Sequence, residues 1–238
     1  TVTYGTRRGS DLRITAVNSE KMASETTPLN RFEVRFEDRE LGEFTLHVPG
    51  LHNVLNATAA IAVGLGLDVP VEHIRSALDH FRGVDRRFQL KGKAAGVTVI
   101  DDYGHHPTEI KATLSAARQC GFRKVHVIFQ PHRYSRTQAL MEEFATAFGD
   151  AETIWVLDVY PASEAPIEGV TGEVLAERIR QQSGKDAKYQ GSFSEAAHAA
   201  VAAAEEGDMI LTLGAGNVSQ LGASILEKLQ AKEAVASE

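Results

Sequence analysis

In His132-Arg133-Tyr134-Ser135-Arg136, two arginines stand three positions apart. If the segment enters a helix they share a face, and paired guanidiniums suit an anion that accepts forked hydrogen bonds, a carboxylate or a phosphate. Taken alone, the segment reads equally well as a solvated helix start. Upstream, Asp101-Asp102-Tyr103-Gly104-His105-His106-Pro107 packs two carboxylates, a phenol and two imidazoles into one turn. Metal binding is the rival use of such a cluster. Adjacent side chains diverge, however, so both histidines are ill placed for one ion and no cysteine assists. Contacts to a ligand's hydroxyls, carboxylate or amine fit better, and no metal ligand is assigned.

Two further segments carry weaker signals. Gly214-Ala215-Gly216-Asn217 is half a dinucleotide fingerprint, but only one helix and a tail follow it, without the β unit and acidic residue a complete fingerprint requires. Tight packing of a strand against its helix is the reading adopted. In Gly50-Leu51-His52-Asn53-Val54-Leu55-Asn56-Ala57, His52 and Asn56 lie four apart with Asn53 between them. Carboxamides at a helix start suit recognition of a base edge, because each presents donor and acceptor together. They suit N-capping as well.

The elements that must hold these residues follow from periodicity. Residues 12–17, 32–36 and 44–48 alternate apolar with polar, as half-buried antiparallel strands do, with 38–42 as a turn. Helices are predicted over 52–65 and from Pro70 to about Phe81–Gly83. From Gly96 the rhythm changes to apolar β runs (97–100, 125–129, 153–157, a weak one near 188–189, and 209–213). These alternate with helices after Pro107 and over 135–148, 172–182, 194–205 and 218–229, and the tail 231–238 reads as frayed. Such alternation implies an α/β fold with a mainly parallel sheet covered on both faces, and a boundary near 88–92. In such sheets ligands bind beyond the carboxyl ends of the strands, where 101–106, 130–136, 158–161 and 214–217 fall.

Composition narrows the function classes. A net charge of −7 argues against a nucleic-acid-binding surface. No apolar run is long enough to cross a bilayer, and the first residues show no signal-peptide pattern. A lone cysteine, Cys120, makes no internal disulfide. Together these predict a cytoplasmic protein without membrane or nucleic-acid partners.

In order along the chain, residues 50–57 (GLHNVLNA), 83–88 (GVDRRF), 101–109 (DDYGHHPTE) and 129–137 (FQPHRYSRT) resemble the signature of the Mur ligases. The last two resemble its alanine-adding branch, and the resemblance covers essentially the whole chain. It implies that residues 1–88 are the latter part of a central α/β ATPase domain and residues 89–238 a Rossmann-like C-terminal domain. It implies an ATP-dependent ligase that activates UDP-N-acetylmuramate as an acyl phosphate, which the amine of L-alanine attacks. ATP and Mg2+ are the expected cofactors. The chain departs from the family in lacking a Gly-x-x-Gly-Lys-Thr/Ser phosphate loop and the Glu and His that hold magnesium. It is therefore expected to be a fragment, inactive alone, with the metal ligands in a missing N-terminal part.

By position, the resemblance implies that Asn56, with Asn53 and His52, faces adenine. Arg87 reaches the γ-phosphate and Asp102 the ribose. Tyr103, His105, His132, Arg133 and Arg136 form the alanine end, with His105 or His132 as candidates to deprotonate the ammonium. The rivals are a ligase of the same family that adds a preformed peptide, and a non-catalytic nucleotide- or amino-acid-binding module. Oligomeric state is not readable.

Overall fold

The computed structural model describes residues 1–20 and 29–236. The chain divides into two units, Thr1–Gly83 with Gln119–Gly121, and Val84–Arg118 with Phe122–Glu238. The division falls at Gly83/Val84, a few residues before the predicted boundary.

In the first unit, β1 (Tyr4–Gly5), β2 (Leu12–Glu20), β3 (Leu29–Phe36) and β4 (Arg39–Leu46) form one sheet in that order, β1 parallel to β2 and the rest antiparallel. The alternation places Leu12, Ile14, Phe32, Val34, Phe44 and Leu46 on one buried face. Phe32 and Phe44 pair across the strands with stacked rings 5.8 Å apart. The helices α1 (Leu51–Gly66) and α2 (Val71–His80) cover this face through Val54, Ala57, Ile61 and Ile74. The predicted turn at 38–42 is corrected. Only Glu37 and Asp38 turn, and Leu41 enters the core at a bulge opposite Val34/Arg35.

The second unit holds β5 (Gln89–Ala94), β6 (Val97–Asp102), β7 (Val125–Phe129), β8 (Thr153–Val156), β9 (Asp186–Tyr189) and β10 (Met209–Leu213), in spatial order β5-β6-β10-β7-β8-β9. All neighbours are parallel except β5 with β6. The stretch predicted as the boundary, 88–92, thus falls largely within an antiparallel edge strand, β5. This strand turns into β6 through Ala95-Gly96, both with positive φ (50° and 70°), as a two-residue hairpin requires. Its Lys-Gly-Lys stretch carries no apolar run, which hides it from periodicity.

The helices are α3 (Pro107–Cys120), α4 (Tyr134–Ala139), α5 (Met141–Ala145), α6 (Gly172–Ser183), α7 (Phe193–Ala203) and α8 (Leu221–Ala236). Alternate residues of β7 serve both faces. Ile128 joins the core made with α7 and α8, whereas Phe129 meets Phe144 and Phe148 on the other side. The single helix predicted over 135–148 is two, broken at Leu140. A 3-10 turn, Asn217–Gln220, precedes α8. The tail predicted as frayed is helical through Ala236, and Lys232 fastens it to the carbonyls of Val201 and Ala204 at 3.0 and 2.9 Å. Residues 237–238 lie outside the described residues.

Candidate active site

The carboxyl ends of β6, β10 and β7 adjoin at the point where the chain crosses from β6 to β7 with β10 between them. A crevice at such a reversal is where ligands of parallel sheets bind. Three loops meet there, after β6, β7 and β10, and the loop after β8 is bridged to that after β7 at His132 and Tyr160.

The loop after β6 is fixed by Asp102, which is 6% exposed. One carboxylate oxygen accepts from Gly104 N (2.8 Å) and Thr113 Oγ1 (3.1 Å), the other from Phe88 N (2.8 Å). Burial pushes the Asp102 carboxyl up from its ordinary value, opposed by those three donors and by the Arg87 charge. Through Phe88, Asp102 also holds the turn carrying Arg86 and Arg87. Arg86 and Phe88 have φ of 61° and 46°, a left-handed conformation that non-glycine residues keep only when surroundings enforce it. Arg86 locks the turn from the other side, pairing with buried Asp101 at 3.3 Å and donating to the Gly214 carbonyl. Arg87 is left exposed, its guanidinium 5.4 Å from the centroid of Tyr103.

Helix α3 begins with a capping box. His106 Nδ1 accepts from Thr108 N, Pro107 occupies the first helical position, and Glu109 reaches back to the N–H of His106 at 3.2 Å and of His105 at 3.0 Å. This cap determines where His105 points. Its Nδ1 lies 3.1 Å from the Tyr103 carbonyl and 3.5 Å from Glu109 Oε2. Burial raises the Glu109 carboxyl, but the N–H of His105, the His105 ring, the N–H of His106 and Arg87 together bring it below its ordinary value. His106 is exposed and serves the helix start.

After β7, His132 lies 5.9 Å from His105, ring to ring. Arg136 Nη1 approaches His132 Nδ1 at 3.4 Å and its carbonyl at 3.2 Å. Burial, then Arg136, His105 and Arg133, hold the imidazole of His132 below the usual histidine value, against a small opposing effect of Glu164. Arg133 (φ 74°) stands before α4 and pairs with Glu164 at 3.6 Å. Glu164 also accepts from Ser135 N (3.0 Å) and Ser135 Oγ (2.7 Å). Gln130 joins this loop to the β10 loop through Asn217 Oδ1 (2.9 Å) and Val218 N (3.1 Å).

The structure therefore gathers Arg87, Asp102, Tyr103, His105, His132, Arg133 and Arg136 on one unit. His52, Asn53 and Asn56 belong to the first unit, on the first two turns of α1. Capping is not their role, because Gly50 occupies the cap position and no side chain caps α1. Asn53 donates to the Pro49 carbonyl at 2.7 Å, and Asn56 is exposed. Sequence reading left out Arg86, Gln130, Tyr160 and Glu164. Of these only Arg86 stood in a quoted motif as a charge in need of a partner. Among the described residues no group of three or more His, Cys, Asp or Glu is placed to hold a metal ion, and no helix is long and apolar enough to cross a membrane.

The family profile described as "Mur ligase, glutamate ligase domain" matches residues 86–216, more than half of the chain. The chain belongs to the Mur ligase family. The stretch matched to the Mur ligases opens at Arg86 and closes at Gly216, and so brackets the loops just described. Among curated Mur ligases, the chain is 63% identical over 235 residues to the UDP-N-acetylmuramate–L-alanine ligase of Koribacter versatilis, covering 99% of this chain and 50% of that protein. It is 54% identical to the ligase of the same name from Solibacter usitatus, over 97% of this chain and 48% of that one. The chain thus spans about half the length of the curated relatives it matches. The solved structure of the UDP-N-acetylmuramate–alanine ligase of Thermotoga maritima superposes with a TM-score of 0.79 at 29% identity, over 97% of this chain and 48% of that one. A murein peptide ligase of Psychrobacter arcticus (TM-score 0.62, 24% identity, 96% and 46% covered) shares the fold.

Proposed function

We propose that this chain is the amino-acid-accepting half of an ATP-dependent ligase that joins L-alanine to UDP-N-acetylmuramate during peptidoglycan precursor synthesis in the cytoplasm. The observation that carries the reading is the convergence of His105, His132, Arg133 and Arg136 on one rim of the sheet. An amino acid presents a carboxylate and an ammonium on one carbon. Guanidiniums bind the first by charge-assisted hydrogen bonds, and an imidazole takes a proton from the second. Similarity to ligases of that name supports the choice of substrates.

In this reading the first unit is the latter part of the central ATP-binding domain and the second the Rossmann-like C-terminal domain. ATP is a substrate. Exposed Arg87 meets the charge developing on the γ-phosphoryl group as the muramyl carboxylate becomes an acyl phosphate. Asn56, with Asn53 and His52, serves adenine. Asp102 serves the ribose side through the turn it anchors as much as by contact. Tyr103, under both Arg86 and Arg87, lines the amino-acid end. Magnesium is assigned no residue of this chain, and no step is routed through it.

The test joins this chain to the remaining half of the length that its relatives carry and measures phosphate release. Release requiring ATP, UDP-N-acetylmuramate and L-alanine together supports the proposal. Release with a preformed peptide instead of alanine assigns the chain to the peptide-adding ligases. Nucleotide binding without release under any acceptor reduces it to a binding module. The 238-residue chain alone, with no Gly-Lys-Thr/Ser loop in its sequence, is expected to release none.

A further inference from the structure

The two facing imidazoles, His105 and His132, are chemically unlike, and their hydrogen-bond partners say how. At His105, the neighbours of Nδ1 are the Tyr103 carbonyl at 3.1 Å and a Glu109 carboxylate oxygen at 3.5 Å. Both accept only, so Nδ1 carries the hydrogen, and in the neutral ring Nε2 keeps the lone pair. At His132, the side-chain neighbour of Nδ1 is the Arg136 guanidinium at 3.4 Å. A guanidinium donates only, so here Nδ1 holds the lone pair and Nε2 carries the hydrogen. Tyr160, stacked on the ring at 5.3 Å, sets the plane of His132.

We infer that His105 is the base that deprotonates the incoming amine, through Nε2, with Glu109 as its positioning residue, and that His132 is a neutral donor through Nε2–H. The assignment rests on the ligase reading above. The ammonium nitrogen gives one proton to His105 Nε2, and the freed lone pair forms the C–N bond at the acyl phosphate carbonyl. As the C–O bond to phosphate breaks, the nitrogen's second proton leaves with the phosphate oxygen, and His105 returns its own to solvent. Glu109 stabilises the imidazolium that exists in between, in the manner of a carboxylate paired with a catalytic histidine. The groups facing His105 are Tyr103 from its own loop, Glu109 from α3 and His132 from the loop after β7, and Arg87, from the turn before β5, acts on Glu109.

Two measurements test this. Imidazole 15N spectra of the 238-residue chain at about pH 8, where unperturbed histidines are neutral, are expected to show His105 protonated on Nδ1 and His132 on Nε2. The reverse tautomer at either ring overturns the assignment. In the joined ligase, His105→Asn is expected to lower kcat by about 10²–10⁴-fold and abolish the acidic limb of the pH profile. His132→Gln is expected to lower the rate and keep the limb. Glu109→Gln still offers an oxygen to cap α3 but withdraws the negative charge, so the limb moves to lower pH, and Glu109→Asp moves it part of the way back. A limb unmoved by Glu109→Gln means Glu109 is only a cap, and a limb that survives His105→Asn overturns the base. If the unsubstituted ligase shows no alanine-dependent phosphate release at all, the ligase reading falls and the base assignment with it.

Discussion

The ring of Tyr160 lies flat on the imidazole of His132, centroids 5.3 Å apart and planes inclined by 13°. Gly216 also abuts Tyr160, for a Cβ there would come 2.9 Å from Tyr160 Cγ and 2.3 Å from Gln130 Oε1. The loops after β7, β8 and β10 therefore interlock through one aromatic ring, which sets the plane of His132.

Tyr160→Ala should free that ring and raise the KM for alanine about tenfold, which corresponds to roughly 1.4 kcal/mol, whereas Tyr160→Phe should change it little. Gly216→Ala forces both Gln130 and Tyr160 to shift and should destabilise the second unit by about 1–3 kcal/mol. Alanine-dependent kinetics and thermal unfolding read the two effects. A Tyr160→Ala enzyme with unaltered alanine KM removes the ring from the site.

Arg133 and Arg136 should not be equivalent. Arg133 already has a carboxylate partner in Glu164 at 3.6 Å. Arg136 is bonded to His132 alone and makes no ion pair with a carboxylate among the described residues. Arg136→Ala should cost about ten- to hundredfold in kcat/KM for alanine, the loss of one charge-assisted contact, with lysine a poor replacement because it lacks the planar fork. Arg133→Ala should cost less, and neither should change the KM for ATP. Steady-state rates with alanine and ATP varied separately decide this, and a larger loss at Arg133 would reverse the assignment.

Asp102→Asn places an amide where a carboxylate accepts from Phe88 N, Gly104 N and Thr113. One of its two oxygens becomes a donor, and a donor cannot satisfy the N–H it faces, at a cost of about 1–3 kcal/mol. The strained Arg86–Phe88 turn should relax, so the KM for ATP should rise more than that for alanine. Equal changes in both would mean the turn does not carry Arg87 to the nucleotide.

Far from the site, at the start of β10, buried Asp208 accepts from Arg123 Nε and Nη2 (2.9 and 3.0 Å), His126 Nε2 (3.2 Å) and Glu205 N (3.0 Å). Burial raises its carboxyl, but the donors outweigh that and bring it below the ordinary value of 3.8. The stabilisation is therefore fully present above that value and is lost as pH falls through the lower folded value. Asp208→Asn should cost about 2–4 kcal/mol near neutral pH, with the gap to the unsubstituted protein closing as the pH falls below the ordinary carboxyl value and through the lower folded one. Urea unfolding across that range measures it, and a gap independent of pH would refute the linkage.

Periodicity and turn chemistry by themselves determined the α/β character, the two sheets, and the strand ends on which the polar loops sit. A strand or helix advertises its buried face locally, and residues 97–100, 125–129 and 209–213 did so. The motifs determined the family, because DDYGHHPTE and FQPHRYSRT keep order as well as composition. Tertiary structure alone decided that β10 lies between β6 and β7 and that 89–94 is an edge strand, since pairing is a long-range choice a polar strand does not announce. It alone decided that Glu164 holds Arg133, that Tyr160 stacks on His132, and that Asp102 anchors the Arg86–Phe88 turn. Each of those contacts joins residues 14–31 positions apart. A histidine's tautomer depends on which acceptor or donor the fold brings to its Nδ1, so no spacing in the sequence distinguishes His105 from His132.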